Sequence, residues 1–576
     1  MFATLARWLD HPRAGLAAVV GGVLLSAGSI GAGLGADDWF HRAHLDPEGP
    51  YFSSERGPIL DLFLFFPAEP GAVRALMDQG VLSWWTQPDI RGGFFRPLTA
   101  LTHAWDWWGV GAHPALHHLH SLAWLALALW AAHRFFLEWL GPGRRAVLAT
   151  WLYAVDENHA LPASWVANRN ALLAMAFGAL SARAHLAGAR GERGGAWFAA
   201  GWLALALLSA EAGVATFAVL AALELGRAEP LRVRARRWVP LALVGAAWAA
   251  AWITLGYGMY GSGLYVDPLR DPVRYLSLVP ERLGALGAAA WMNLPVDVWA
   301  ILPPRVTVPL GLGLLVAVSL AVAGLARRAW RSEPVLLQAV VLSTLALLPP
   351  TATFPMTRVI GLGGLGVAAV FAVCTAATLD GSAPRWRDRL VLAWHLPVSA
   401  LVLAVHSALV SVVLSTATAA ADALGPEPEI ADQTLVLTGG HEIMTAYIPI
   451  VRHYDGRPVP KAMVVLGPVG TPVTMTREDE RTLRLDAARA AFTHSFERLA
   501  RAAPFTVGER VDTATLHAEV LAVDAQGNVL SWRVRFPAPL EDPRYAWRRP
   551  EGMGFLPFTP PAVGESVAVA AAVELP

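Results

Sequence analysis

Cysteine is almost absent from this chain. Cys374 is the only one and sits in an apolar run, so no disulfide can form within the chain. Lysine is as scarce: Lys461 stands alone among 45 basic residues, a bias that suits a GC-rich bacterial genome. Asparagine occurs only at positions 158, 168, 170, 293 and 528, never in an N-x-Ser/Thr acceptor. A protein with long loops in the endoplasmic reticulum lumen would often carry such an acceptor, so a bacterial inner membrane is the expected setting. Charge is also short, at 16% of residues against about 25% in ordinary soluble domains. Formal charges cancel to +0, which leaves no basic footprint for nucleic acid.

What fills the space is hydrophobic. Apolar residues make up 55% of the chain, and the mean hydropathy is +0.43. A charge in hydrocarbon costs about 2.5–3.5 kcal/mol, so the shortage of charge follows if long stretches face lipid. The expected fold is therefore a polytopic α-helical membrane protein. About 11 transmembrane helices are expected, near 14–35, 116–136, 145–157, 170–187, 196–209, 212–226, 238–257, 307–326, 335–350, 358–378 and 390–420. The first run ends in Gly-Ala-Asp-Asp rather than a small-residue cleavage site, so it reads as a retained helix.

Arginine clusters orient these spans. Arg7 and Arg13, Arg134 to Arg145, Arg183 to Arg193, Arg227 to Arg237, Arg327 to Arg331, and Arg385 to Arg389 fall at alternate ends. This predicts a cytoplasmic N-terminus and two large outer loops, at about 36–115 and 258–306. Val73–Trp85 and Pro272–Trp291 look amphipathic, and Trp84, Trp85, Trp105, Trp107 and Trp108 suit an interfacial aromatic belt. Residues 1–424 then form the membrane domain, and 425–576 a soluble β-rich domain on the periplasmic side. Pro426 to Glu429 reads as a linker. Thr434–Thr438, Ala462–Leu466, Pro472–Thr476, Thr482–Leu485, Thr515–Val523 and Val529–Phe536 read as strands, Ala487–Ala502 as a helix, and Ala525 to Asn528 as a hairpin turn.

Polar residues gather at the outer ends of the spans. Asp37 and Asp38 follow the first helix. They could serve as general base or metal ligand, or simply mark the exit from lipid. Asp106 lies among apolar and aromatic residues and needs a partner, Arg96 being the nearest in sequence. His113, His117 and His120 share a helical face that could hold a metal, although interfacial histidines at a helix start are commoner. Residues 156–170 form the densest polar cluster, with His159, Arg169 and Asn170. Arg169 could bind a lipid-linked phosphate. Glu211 interrupts an apolar stretch, and Arg358 opens another span as a second candidate phosphate ligand or an interfacial anchor.

Four stretches resemble the GT-C superfamily of polyprenyl-phosphate-sugar-dependent glycosyltransferases, in particular the transmembrane-and-TPR protein O-mannosyltransferases and their bacterial relatives. They are Asp37-Asp38; Phe95-Arg96-Pro97-Leu98-Thr99 running through Asp106 to His113-Pro114 and His118-Leu119; Ala154 to Ala174, with His159, Trp165, Arg169, Leu172 and Leu173 at matching positions; and Leu207-Leu208-Ser209-Ala210-Glu211. The resemblance covers roughly residues 20–225. Asp156 and Glu157 replace the family's His-Pro, Asn170 its acidic residue and Ala210 its lysine, and no TPR array follows.

The resemblance implies sugar transfer from a polyprenyl-phosphate donor to a protein or glycan acceptor on the outer membrane face. Asp37 or Asp38 would be the base. Arg169 and Arg358 would hold the lipid phosphate, and Asp106, His159, Asn170 and Glu211 would line the substrate site. No cofactor is implied with certainty, and a divalent metal stays open. The alternatives are an inactive envelope-assembly scaffold whose outer domain binds partners and, less favoured, a transporter of lipid-linked saccharides. Paired repeats and broken midplane helices mark many transporters, and neither is visible in the sequence.

Overall fold

The computed structural model describes residues 2–49, 56–67, 69, 71–327, 333–379, 386–425, 427–440, 445–468, 470–493, 496–552 and 554–571. Arg328, Arg331 and Arg385 of the orienting clusters, and Pro426 of the linker, lie outside the described residues.

Among the described residues, five helical stretches are long and apolar enough to cross a membrane: Ala14–Gly31, Val166–Ala189, Pro304–Ala326, Val335–Ala352 and Trp386–Val410. Gly195–Ser209, Glu211–Leu223 and Gly361–Ala376 are apolar but shorter. Pro114–Leu140 and Leu231–Thr254 have the length and fall short in apolar content. Eleven crossings are thus not reached on length and composition. Helix starts follow local chemistry. Proline occupies the first turn at Pro97, Pro114, Pro272 and Pro304, where its missing N–H costs nothing.

Alanine and leucine dominate the buried bundle core. Val166–Ala189 is almost wholly buried, whereas Pro304–Ala326 turns most of its surface outward, including Val316 and Leu320. Small residues let two helices approach closely. A Cβ on Gly284 would lie 1.9 Å from the Gly311 carbonyl oxygen, so Pro272–Met292 and Pro304–Ala326 touch backbone to backbone. The second half of Pro272–Met292 is buried from Gly284 to Trp291. It therefore belongs to the bundle and does not lie along a surface as its amphipathic pattern suggested.

The two large loops are woven together. Strands β1 (Leu64–Phe66), β2 (Arg91–Gly93) and β3 (Gly258–Tyr260) form one antiparallel sheet in that order. Glycines at 92 and 93 admit Met259, Phe66 and Leu64 at distances no side chain would leave free.

The C-terminal region is β-rich. Strands β4 (Thr434–Leu437), β5 (Ala462–Val465), β11 (Tyr545–Glu551) and β12 (Gly554–Pro557) form a four-stranded sheet in the order β12-β11-β4-β5, with β4 parallel to both neighbours. Strands β6 (Val473–Arg477), β7 (Thr482–Ala491), β8 (Arg510–Asp512), β9 (His517–Val523), β10 (Val529–Arg535) and β13 (Ser566–Val569) form a six-stranded antiparallel sheet, β13-β6-β7-β10-β9-β8. The turn between β9 and β10 is held by the Asp524 carboxylate, which accepts from the Gln526 and Asn528 amides, with Gly527 at φ +75°.

Two expectations fail here. No described residue of 487–502 is helical: β7 runs on to Ala491, where Val529 of β10 pairs with it, and turns follow at 496–500. Trp84 and Trp85 are not in an aromatic belt. Both are buried, and their indole N–H groups donate to the carbonyls of Leu466 and Glu497 in the C-terminal domain. They pin the first loop into that domain's core.

Candidate functional site

The acid pair begins the helix Asp37–Leu45, where the helix dipole favours negative charge. Just before it, Ala36 adopts φ +46° and ψ −120°, a conformation that costs an alanine on the order of 1–3 kcal/mol and persists only when its surroundings enforce it. The two carboxylates do different jobs. Asp38 is buried, and both of its oxygens are taken by backbone: Gly35 N–H donates at 3.0 Å and Ala167 N–H at 2.6 Å. It staples the strained turn to residues 166–168. Burial pushes its carboxyl up to about 7, against these two N–H groups, which favour the charged form.

Asp37 is less enclosed and accepts a hydrogen bond from the Tyr447 hydroxyl, which comes from the helix Tyr447–Tyr454 of the C-terminal domain. Burial raises the Asp37 carboxyl above its ordinary range. The Tyr447 bond and the positive charges of Arg358 and Arg96 pull it back down. Those two guanidinium groups are thus close enough to act on the same carboxylate.

Among the described residues, Arg358 is a site cation left without an ion pair. Its Nη2 reaches the Tyr265 hydroxyl only at 3.4 Å, and its buried Nε has no hydrogen-bond partner. The guanidinium lies over the rings of Trp165 and Phe354, 5.6 and 5.8 Å from their centres. Among the described residues it makes no ion pair. Arg96, by contrast, donates from Nε to Glu211 at 2.8 Å and stacks on Phe94. Glu211 also accepts from the Phe95 amide at 2.7 Å, so it clamps the start of the Pro97–Trp105 helix.

Arg169 is placed differently from the sequence expectation. Its side chain is fully buried and all its N–H groups are spent, on Ser121, Thr102, the His117 carbonyl and Asp106, whose Oδ2 lies 2.5 Å away. It has nothing left for a phosphate. Asp106 therefore pairs with Arg169 and His120, not with Arg96. The His113, His117, His120 face does not converge on a metal. His117 bonds the Gly111 carbonyl, while His120 bonds Asp106 through Nδ1 and accepts from Trp124 through Nε2. Among the described residues, no group of three or more His, Cys, Asp or Glu is arranged to hold a metal ion. His159 turns Nε2 to the Tyr153 carbonyl and keeps a buried Nδ1 without a hydrogen-bond partner, while Asn170 donates to the Ala167 carbonyl.

The turn 157–159 packs on the turn 357–359 that carries Arg358. Beside it sits a polar cluster of which the sequence reading had only Glu157, within the run 156–170. Glu157 meets His406 at 3.2 Å, and Asp297 accepts from the amide and hydroxyl of Thr357. His406 could have been found, because an ionisable residue inside the apolar run 399–414 is costly without a partner. Tyr447 and Tyr265 carried no such signal.

No protein-family model and no curated protein sequence matches the chain. Function must be argued from the geometry. A carboxylate takes a hydroxyl proton donor on one side, and on the other an unpaired guanidinium with aromatic walls lies within electrostatic reach. That pair can deprotonate an alcohol and hold a phosphate ester nearby.

Proposed function

We propose that this chain is an integral membrane glycosyltransferase of the GT-C type, moving a sugar from a polyprenyl-phosphate donor to a hydroxyl acceptor at the outer face of a bacterial inner membrane. The observation that carries the reading is the pairing of Asp37, already accepting a hydrogen bond from a hydroxyl, with the unpaired Arg358 close enough to shift its proton affinity. Asp37 is the base, and Asp38 positions it through Gly35 and Ala167.

The acceptor hydroxyl gives its proton to Asp37 as its oxygen attacks the anomeric carbon from the face opposite the phosphate. The bond from that carbon to the phosphate oxygen breaks, and its electron pair leaves with the lipid phosphate. Arg358 offsets the charge gathering on that phosphate, a task for which guanidinium suits better than ammonium. Trp165, Phe354 and Tyr265 keep water away and raise the strength of each charge interaction.

The test uses purified protein in lipid nanodiscs with a panel of polyprenyl-phosphate sugars. Wild type should transfer or bind at least one. Asp37→Asn should bind it without transfer, and Arg358→Ala should lose binding. If wild type binds none of them, the reading falls. The competing reading is a catalytically inactive scaffold, and the structural use of Arg169 favours it. Donor binding without turnover in wild type would select it.

A further inference from the structure

The C-terminal domain reaches into the candidate site through one side chain. Tyr447 is 8% exposed, and its hydroxyl donates to Asp37, across 410 residues of sequence. This is the bond an acceptor hydroxyl must make before it can surrender its proton. The remainder of the Tyr447–Tyr454 helix lies along Asp37–Leu45. Ile450 and Val451 pack with Trp39, Phe40 and Ala43. Tyr454 donates to Asp46 at 2.9 Å, and the Arg42 guanidinium sits 4.0 Å above the Tyr454 ring. From the other side, the fully buried Arg452 ties the same helix to the carbonyls of Ala421 and Gly425.

We propose that Tyr447 occupies the acceptor subsite and acts as a removable cap: the acceptor enters between the Asp37–Leu45 and Tyr447–Tyr454 helices and exchanges its own hydroxyl for that of Tyr447. This rests on Asp37 being the base of the proposed transferase, but the cap itself is a structural claim that can fail or stand alone. Two features make Tyr447 a cap in place of a fixed structural tyrosine. Among the described residues, its phenol bonds a carboxylate that no cation touches directly. And the helix is anchored by side chains other than Tyr447, at Ile448, Ile450, Val451 and Tyr454, so it can stay docked while the Tyr447 ring alone swings aside. The subsite is walled by Trp39 and Phe40. It therefore suits an acceptor that presents its hydroxyl on an apolar or aromatic surface better than one surrounded by charge.

The full chain in nanodiscs is treated with a hydrophobic carbodiimide, which reacts with accessible protonated carboxyls, and adducts on Asp37 are measured by peptide mass spectrometry. Tyr447→Phe keeps the ring and removes only the hydroxyl, and its thermal unfolding is followed to confirm the fold. Asp37 should be modified at least threefold faster in Tyr447→Phe than in wild type, with the Asp38 rate unchanged. Equal Asp37 rates in the two proteins overturn the cap, whatever the sugar assays show. In parallel, release of free sugar from a polyprenyl-phosphate donor is compared, since an uncapped base activates water. Faster carbodiimide modification with no donor bound by either protein keeps the cap and defeats the transferase reading. Donor turnover with unchanged modification does the reverse.

Discussion

Arg169 and Asp106 meet at 2.5 Å in an ion pair whose two side chains are no more than 2% exposed. The pair joins the Val166–Ala189 helical stretch to the end of the Pro97–Trp105 helix, and through His117 and Ser121 to Pro114–Leu140. Removing one partner of a buried pair leaves the other unbalanced, which costs about 3–5 kcal/mol. Arg169→Ala should therefore lower stability by that amount, read as a fall in thermal or denaturant midpoint in detergent. A change within about 0.5 kcal/mol, the range of ordinary surface substitutions, would show that the pair carries little.

Arg358 should behave in the opposite way. Its guanidinium has no ion-pair partner to abandon, so Arg358→Ala should leave the unfolding midpoint close to wild type. Binding of a polyprenyl-phosphate ligand should weaken about tenfold or more, equivalent to ~1.4 kcal/mol. Arg358→Lys should recover only part of this, because ammonium lacks the planar fork. Unchanged binding in both variants would remove Arg358 from the site.

The acid pair gives the fold a pH dependence of predictable sign. Burial raises Asp38 to about 7, so the folded chain keeps a proton that the unfolded chain releases near 3.8. The stability this contributes is complete below about pH 4 and is lost as pH rises through about 7. Unfolding midpoints should fall between pH 5 and pH 8. Asp38→Asn should flatten the slope, even though losing one acceptor lowers its absolute stability. A wild-type midpoint independent of pH over that range contradicts the assignment.

Trp85 is among the largest fully buried side chains, and its N–H bond to Glu497 joins the first loop to the C-terminal domain. Truncating such a residue costs about 3–5 kcal/mol. Trp85→Ala should expose the 71–93 segment to protease well before the bundle unfolds. Equal cleavage rates in variant and wild type would show that the loop is held elsewhere.

The sequence made the local elements visible and left their partners hidden. Short β-like runs were enough to find Thr434–Leu437, Ala462–Val465 and Val529–Arg535, and Ala525 to Asn528 announced its own turn. The alanine-rich 487–491 stretch favours helix by propensity, yet sheet pairing with β10 overrides it. Trp84 and Trp85 resemble membrane-interface residues because an indole needs one apolar and one polar neighbour, and a domain core supplies both equally well. Asp37, Asp38 and Arg358 could be singled out because charge beside an apolar run is costly. That Arg169 would be consumed by Asp106, or that Tyr447 would reach Asp37, depends on contacts between distant segments that no spacing pattern reports.

The woven loops have a consequence for how the chain is made. Trp84 waits for a carbonyl 382 residues further on, and Trp85 for one 412 residues further on. At about 5–20 residues per second, the ribosome needs on the order of 20–80 seconds to supply them. Through that interval two indole side chains destined for a domain core stand without their partners, while β2 waits for β3. The nascent first loop therefore spends that interval with apolar surface that only the finished C-terminal domain can cover.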